Sequence, residues 1–215
     1  MNGKKAGVRG MLKLGLIMAI YAAVACVGLA FVYAGTAKVI TQRQKADQNA
    51  ALRELFPDAD NFEPITDINS PDPAVTIEEG GAFAALKNGR AIGAALRTSR
   101  ASYSGAIRIL VGVAGDGKIG GVKILENNDT PGLGANAGSP NYYVDRAKGI
   151  HFYDQFVGKN ANDPFMPKQD VIAISGSTIT SRAVADSVKA AGKAGAAWLT
   201  SNGGSPAASI QGGSQ

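Results

Sequence analysis

Side chains that bind metals or do covalent chemistry are scarce in this chain of 215 residues, which holds one cysteine, one histidine and one tryptophan. The lone Cys26 excludes an internal disulfide framework and any multi-cysteine zinc or iron–sulfur site. His151 has no partner cluster, so a packed or surface role outweighs metal ligation, and a serine triad has no other histidine to use as its base. The nucleophile elbow G-x-S-x-G is missing as well: around Ser177 the two glycine positions hold Ser175 and Ile179. Aromatic residues make up 7% of the chain and do not interleave with basic ones in a stripe. The net charge of +5 therefore carries no signature of a nucleic-acid binder.

What is present begins with a long apolar run. Leu14 to Gly35 reads LGLIMAIYAAVACVGLAFVYAG, about 22 residues without a charge, which matches the roughly 20 that a helix needs to cross a bilayer. Lys4, Lys5, Arg9 and Lys13 precede it, so the positive-inside tendency puts residues 1–13 in the cytoplasm and everything after Thr36 across the membrane. A signal peptide cleaved near Ala34 is the competing reading, but its apolar core usually spans only about 7–15 residues. A lipid on Cys26 would leave VGLAFVYAG exposed to water. Residues 14–35 are thus expected to be a transmembrane helix with membrane lipid as partner.

Beyond the span, residues 36–73 are expected to form a juxtamembrane helix and linker. Val39, Ile40, Leu52, Leu55 and Phe56 suit a mostly polar helix ending before Pro57, which would lift the following domain off the bilayer. The stretch over 61–73 is rich in Pro, Asp and Ser and reads as irregular chain. A folded domain is expected over 74–200, and the small polar tail, 201–215, is expected to be disordered.

Within the domain, Ile107, Ile109, Val111 and Val113 alternate before Asp116-Gly117 and a second apolar run, which is the pattern of a β-hairpin. The loop ENNDTPGLGANAGSP follows, and its Gly132, Gly134 and Gly138 permit close backbone approach or positive φ. Such a loop either lines a ligand or is a surface turn. NYYVDRAKGIHFYDQFVGK is aromatic-rich, reads as partly helical and supplies core. VIAI, Val171 to Ile174, suits a buried strand. Ala183, Val184, Val188, Ala191 and Trp198 recur at helical spacing after Thr180 and Ser181, either of which is a fitting helix cap. The Ser-Gly-Ser-Thr turn between them sits at a helix N-terminus, where free N–H groups favour an anion and Gly176 removes a blocking side chain. Simple capping by a hydroxyl residue explains the same turn. A clear hairpin without alternating βαβ units points to an α+β fold with an antiparallel sheet.

Taken together, SGSTITS (Ser175 to Ser181), DTPGLG (Asp129 to Gly134), SYSGAIRILVGV before an Asp-Gly turn, ALRELFPDADNFEPI and the single N-terminal span resemble the G subunit of the Rnf electron-transport complex. The resemblance runs from about Leu12 to Trp198. The C subunit of the sodium-pumping NADH:quinone oxidoreductase, which shares the flavin-binding domain, is the nearest alternative. The resemblance implies one transmembrane helix followed by an FMN-binding domain with an antiparallel sheet and packed helices. It implies FMN joined through its phosphate to a threonine hydroxyl, and the family motif Ser/Thr-Gly-Ala-Thr falls here on Ser175 to Thr178, with the flavin on Thr178. Ser175, Gly176, Ser177, Thr180, Thr130, Gly132, Leu133 and Gly134 are the implied cofactor-binding residues. A flavin transferase using FAD and magnesium would install the group.

The implied role is electron relay on the outer side of a bacterial or archaeal cytoplasmic membrane. There the chain would work beside other membrane and iron–sulfur subunits that couple ferredoxin and NAD chemistry to sodium or proton translocation. Two positions depart from the family pattern. Ser177 replaces the usual Ala and offers a rival hydroxyl, and Ile172 stands where Asp is common. Asp170 lies two residues earlier, about 6–7 Å away on the same face of an extended strand; either it substitutes for the missing acid or the transferase recognises this chain less well. The reading from another class is a membrane-anchored scaffold or binding domain without cofactor, in which the turn only caps a helix.

Overall fold

The computed structural model describes residues 3–202, so most of the tail read as disordered lies outside the described residues. The chain divides into two compact units, residues 1–49 and residues from 50 onward. Helix α1 (Gly3–Leu55) supplies the first unit and ends in the second. Its stretch Lys13–Ala37 has a mean hydropathy of 2.4 and none of it is buried, so it is long and apolar enough to cross a membrane. Leu14, Leu29 and Phe31 stand exposed along it, as side chains that face lipid do. The helix stops at Leu55, ahead of Pro57, as the sequence indicates.

The second unit is a five-stranded antiparallel sheet in consecutive order: β1 (Asn61–Pro64), β2 (Thr76–Lys87), β3 (Arg90–Ala101), β4 (Ala106–Ala114) and β5 (Ile119–Glu126). Lys87 pairs with Arg90 across a two-residue turn in which Asn88 and Gly89 have φ of 52° and 74°. Both residues of such a tight hairpin turn need positive φ, which Asn and Gly adopt at least cost. The β4–β5 hairpin forms where the alternation and the Asp116-Gly117 turn place it, with Val111 opposite Val122. Helix α2 (Thr178–Asn202) covers one face of the sheet. Its Val184, Val188 and Ala191 are fully buried in one apolar cluster with Leu96, Ile107, Ile109, Val111 and Val113.

The opposite face is covered by the end of α1 and the turn after it. Ala51, Leu52 and Phe56 form a second cluster with Ala85, Ala95 and Leu110. Glycines in the sheet make room for them: a Cβ on Gly93 would lie 2.3 Å from the Phe56 ring, and one on Gly121 would lie 2.5 Å from Leu55 Cδ2.

Three local expectations are corrected. Residues 61–64, read as irregular, form the edge strand β1 paired with β2; an edge strand tolerates Pro64 because one row of its backbone groups needs no partner strand. The run Val171–Ile174 makes a single bridge, Val171 to Pro167, instead of a strand. Side chains have claimed its backbone: Ile172 N–H donates to Gln155 Oε1 at 2.7 Å and Ile174 N–H to Ser181 Oγ at 2.9 Å. The aromatic-rich segment is helical only in one 3₁₀ turn, Asp154–Phe156, and otherwise contributes β6 (Tyr143–Asp145) and β7 (Ile150–His151). It does supply core, with Phe152 and Phe156 fully buried.

Candidate functional site

Helix α2 starts at Thr178 itself, and the turn before it is held by hydroxyls. Ser181 is fully buried; its Oγ accepts from Ile174 N–H at 2.9 Å and donates to the Ser177 carbonyl oxygen at 2.9 Å. This pair of hydrogen bonds across the helix start fixes Ser175 and Gly176, the latter at φ 73°. The first helical hydrogen bond is Ser181 N–H to Ser177 C=O, 3.0 Å. The N–H groups of Thr178, Ile179 and Thr180 precede it and lack an intrahelical acceptor, the condition that favours an anion at a helix start.

Thr180 is not the cap that its position suggests. It is fully buried, and its hydroxyl donates to Asp129 Oδ2 at 2.6 Å. The Ser102 hydroxyl donates to the same carboxylate, and Ser104 N–H donates to Oδ1 at 2.7 Å. Because the Thr180 proton is spent on Asp129, the 3.0 Å contact between the Ser177 and Thr180 hydroxyls requires Ser177 to donate. The proton chain runs Ser177 to Thr180 to Asp129. Burial alone would raise the Asp129 pKa, yet the bonds from Ser102, Thr180 and the backbone of Ser104 and Tyr103 outweigh it and hold the carboxyl below its ordinary range.

Asn127 and the Asp129 backbone set the glycine-rich loop. Asn127 Oδ1 accepts from Asp129 N–H at 3.0 Å, and Asn127 Nδ2 reaches the Gly134 carbonyl oxygen at 2.9 Å. A Cβ on Gly134 would sit 2.5 Å from Thr180 Oγ1 and 2.6 Å from Asp129 Cβ, so only glycine lets loop and helix meet here. Between them lies a cavity of about 370 Å³ lined by Thr130, Leu133, Gly134, Gly176, Ser177, Thr178 and Thr180 together with Tyr103, Asp129 and Ile179. Ser175 faces a neighbouring cavity of about 570 Å³, shared with Ile172 and Thr178. Gly132 lines neither; at φ 80° it turns the loop, and its carbonyl accepts from Asn136 Nδ2 at 2.9 Å.

Thr178 and Ser177 differ sharply in access. Thr178 is exposed, whereas Ser177 is 8% exposed with its proton committed. Asp170 is committed as well: its carboxylate accepts from Phe165 N–H at 3.0 Å and Met166 N–H at 2.5 Å and pairs with Lys159 at 3.7 Å. It clamps its own loop, and Ile172 nearby is about half exposed. His151 stacks between Tyr143 and Tyr153, with ring centroids 4.3 and 5.3 Å away. Among the described residues no group of His, Cys, Asp and Glu stands ready to hold a metal ion.

The arrangement suits a planar, phosphorylated cofactor. The cavity volume falls in the usual range for small-molecule sites, about 300–1,000 Å³. Exposed Tyr103, Leu133 and Ile179 give it apolar walls, and the accessible hydroxyl stands at the helix start. Sequence reasoning overlooks Asp129, Ser102, Tyr103 and Ser104; the available signal is an acid heading the glycine loop and paired hydroxyls heading β4.

Residues 102–193 match the family model for the FMN-binding domain, and residues 1–55 match that for the RnfG N-terminal region. The chain is 32% identical over 191 residues to the G subunit of a Na(+)-translocating ferredoxin:NAD(+) oxidoreductase complex from Acetobacterium woodii, covering 82% of this chain and 87% of that one. It is 33% identical over 168 residues to the G subunit of a proton-translocating ferredoxin:NAD(+) oxidoreductase complex from Clostridium ljungdahlii, covering 76% and 80%. The G subunit of an ion-translocating oxidoreductase complex from Methanosarcina acetivorans is 31% identical over 180 residues, covering 81% and 88%.

Proposed function

This chain belongs to the RnfG family, the G subunits of the Rnf-type ion-translocating oxidoreductases, and is an electron-transport flavoprotein subunit, and we propose that it carries its FMN on the Thr178 hydroxyl through a phosphoester. The observation that carries this reading is the contrast at the turn: Thr178 is an exposed residue, while Ser177 is buried with its hydroxyl donating to Thr180. Bound FMN supplies one- and two-electron transfer. The residues supply its setting. The start of α2 favours the negative charge of a phosphodiester. Tyr103, Leu133 and Ile179 give the ring an apolar seat, and Asp129 locks the Thr130–Gly134 loop to Thr180 so that the seat keeps its shape.

The wider assignment follows the family. The chain is a single-pass protein whose basic N-terminus lies in the cytoplasm and whose flavin domain lies on the outer side, anchored in lipid by α1. Electrons pass between it and the other membrane and iron–sulfur subunits of the complex, since one cysteine allows no thiol or iron–sulfur relay within the chain. A flavin transferase, with FAD and magnesium, performs the attachment. It meets an apolar Ile172 in place of an acid.

Peptide mass spectrometry on protein from transferase-containing cells tests the attachment. An added FMN-phosphoryl mass on the peptide spanning Ser175 to Ser181 is expected in the wild type and in Ser177→Ala, and none in Thr178→Ala. An unmodified wild-type peptide would put the cofactor-free scaffold reading in its place.

A further inference from the structure

A third cavity also touches Thr178. It measures about 250 Å³, and its lining residues are Arg100, Ala101, Thr178, Ile179, Arg182 and Ala183, none of them acidic. The two guanidinium groups in its wall are not equivalent. Arg100, near the end of β3, has its Nη1 2.6 Å from Asp186 and 3.8 Å from Asp72. Arg182 is exposed and makes no ion pair or hydrogen bond among the described residues. Its expected partner one turn along α2 is Asp186, at the i, i+4 spacing that pairs charges on a helix. Arg100 has taken that carboxylate. Arg182 also lies one turn after Thr178, on the same side of the helix.

We propose that Arg182 is the positioning residue for the phosphoester on Thr178, its guanidinium left unpaired by the Arg100–Asp186 pair to serve as the counter-ion. This rests on the reading that Thr178 carries FMN. A phosphodiester keeps one negative charge and two non-bridging oxygens, which the planar fork of an arginine matches and a lysine meets only as a point charge. The helix start supplies N–H donors from the other side. Arg182 thereby sets where the phosphate end of the cofactor rests, while the 370 Å³ cavity receives the ring.

The test uses the full flavinylated chain in detergent, as wild type, Arg182→Gln, Arg182→Lys and the exposed control Lys193→Gln. It reads the phosphorus-31 resonance of the phosphodiester against salt, and the fraction of chains modified after a limited exposure to the transferase. Raising salt from about 0.1 M to about 1 M shortens the Debye length from about 10 Å to about 3 Å and weakens an exposed ion pair. The wild-type resonance is expected to move with salt, and that of Arg182→Gln to start displaced and stay put. Modification should fall about fivefold in Arg182→Gln, the upper end for an exposed charge pair, and recover at least in part in Arg182→Lys. Lys193→Gln should match the wild type. A wild-type resonance and salt profile in Arg182→Gln would overturn the proposal. So would equal loss of modification in Arg182→Gln and Arg182→Lys, since the lysine keeps the charge. A wild type with no phosphodiester signal would instead overturn the flavin reading itself.

Discussion

Asp129 ties the site together at the scale of single residues. Its carboxylate accepts hydrogen bonds from two hydroxyls and a backbone N–H while only 5% exposed. An amide there would present one face of donors to groups that are themselves donors. Asp129→Asn should therefore lower the stability of the full chain by about 1–3 kcal/mol in urea melts. The pH dependence has a definite sign. A depressed pKa in the folded state contributes stability that is whole above the ordinary value of 3.8 and is lost as pH falls through the lower folded value. The gap between wild type and Asp129→Asn should thus be constant near neutrality and narrow in acid below 3.8. A gap that widened in acid would show that the carboxylate is not the stabilising species. Ser175 to Thr178 can be read from the sequence because a turn between an apolar run and an amphipathic helix is a local pattern. Thr180 passes for a cap in the sequence because its partner, Asp129, stands 51 positions away, and no local spacing encodes that bond.

At the scale of elements, legibility follows periodicity. Ile107, Ile109, Val111 and Val113 alternate in sequence and are all fully buried on one face of β4, and Val184, Val188 and Ala191 recur at helical spacing and face the same core. Val171–Ile174 has the composition of a strand without its alternation: Val171 and Ile174 are buried three positions apart and Ile172 is exposed. Four residues ending in Pro64 are too short a run to announce β1. The packing of the α1 end on the sheet is hidden for another reason. Its mark is a set of glycines, Gly93, Gly112 and Gly121, whose missing side chains are the space that Phe56 and Leu55 fill. Phe56→Ala should empty that space and cost about 3–5 kcal/mol, read as a shift in urea midpoint at unchanged slope. Gly93→Ala should be destabilising as well, by about 1–3 kcal/mol, because its Cβ would meet both the Phe56 ring and the Val113 carbonyl oxygen, 2.8 Å away.

On the scale of the whole molecule, the proposed orientation is open to direct chemistry, since the single native thiol, Cys26, lies inside the apolar stretch of α1. A membrane-impermeant thiol reagent should label Lys193→Cys in intact spheroplasts and label Lys5→Cys only after permeabilisation; the reverse pattern would invert the topology. The Asp129 bonds also bear on timing. They join Ser102, just ahead of β4, to Thr180, in the first turn of α2, so the pieces that shape the Thr178 turn are made well apart in the domain's synthesis. A half-made chain has neither a docked α2 nor a shaped turn. If Thr178 carries the flavin as proposed, a transferase would meet a shaped acceptor only on a finished domain, and cofactor loading would mark chains whose synthesis and folding are complete.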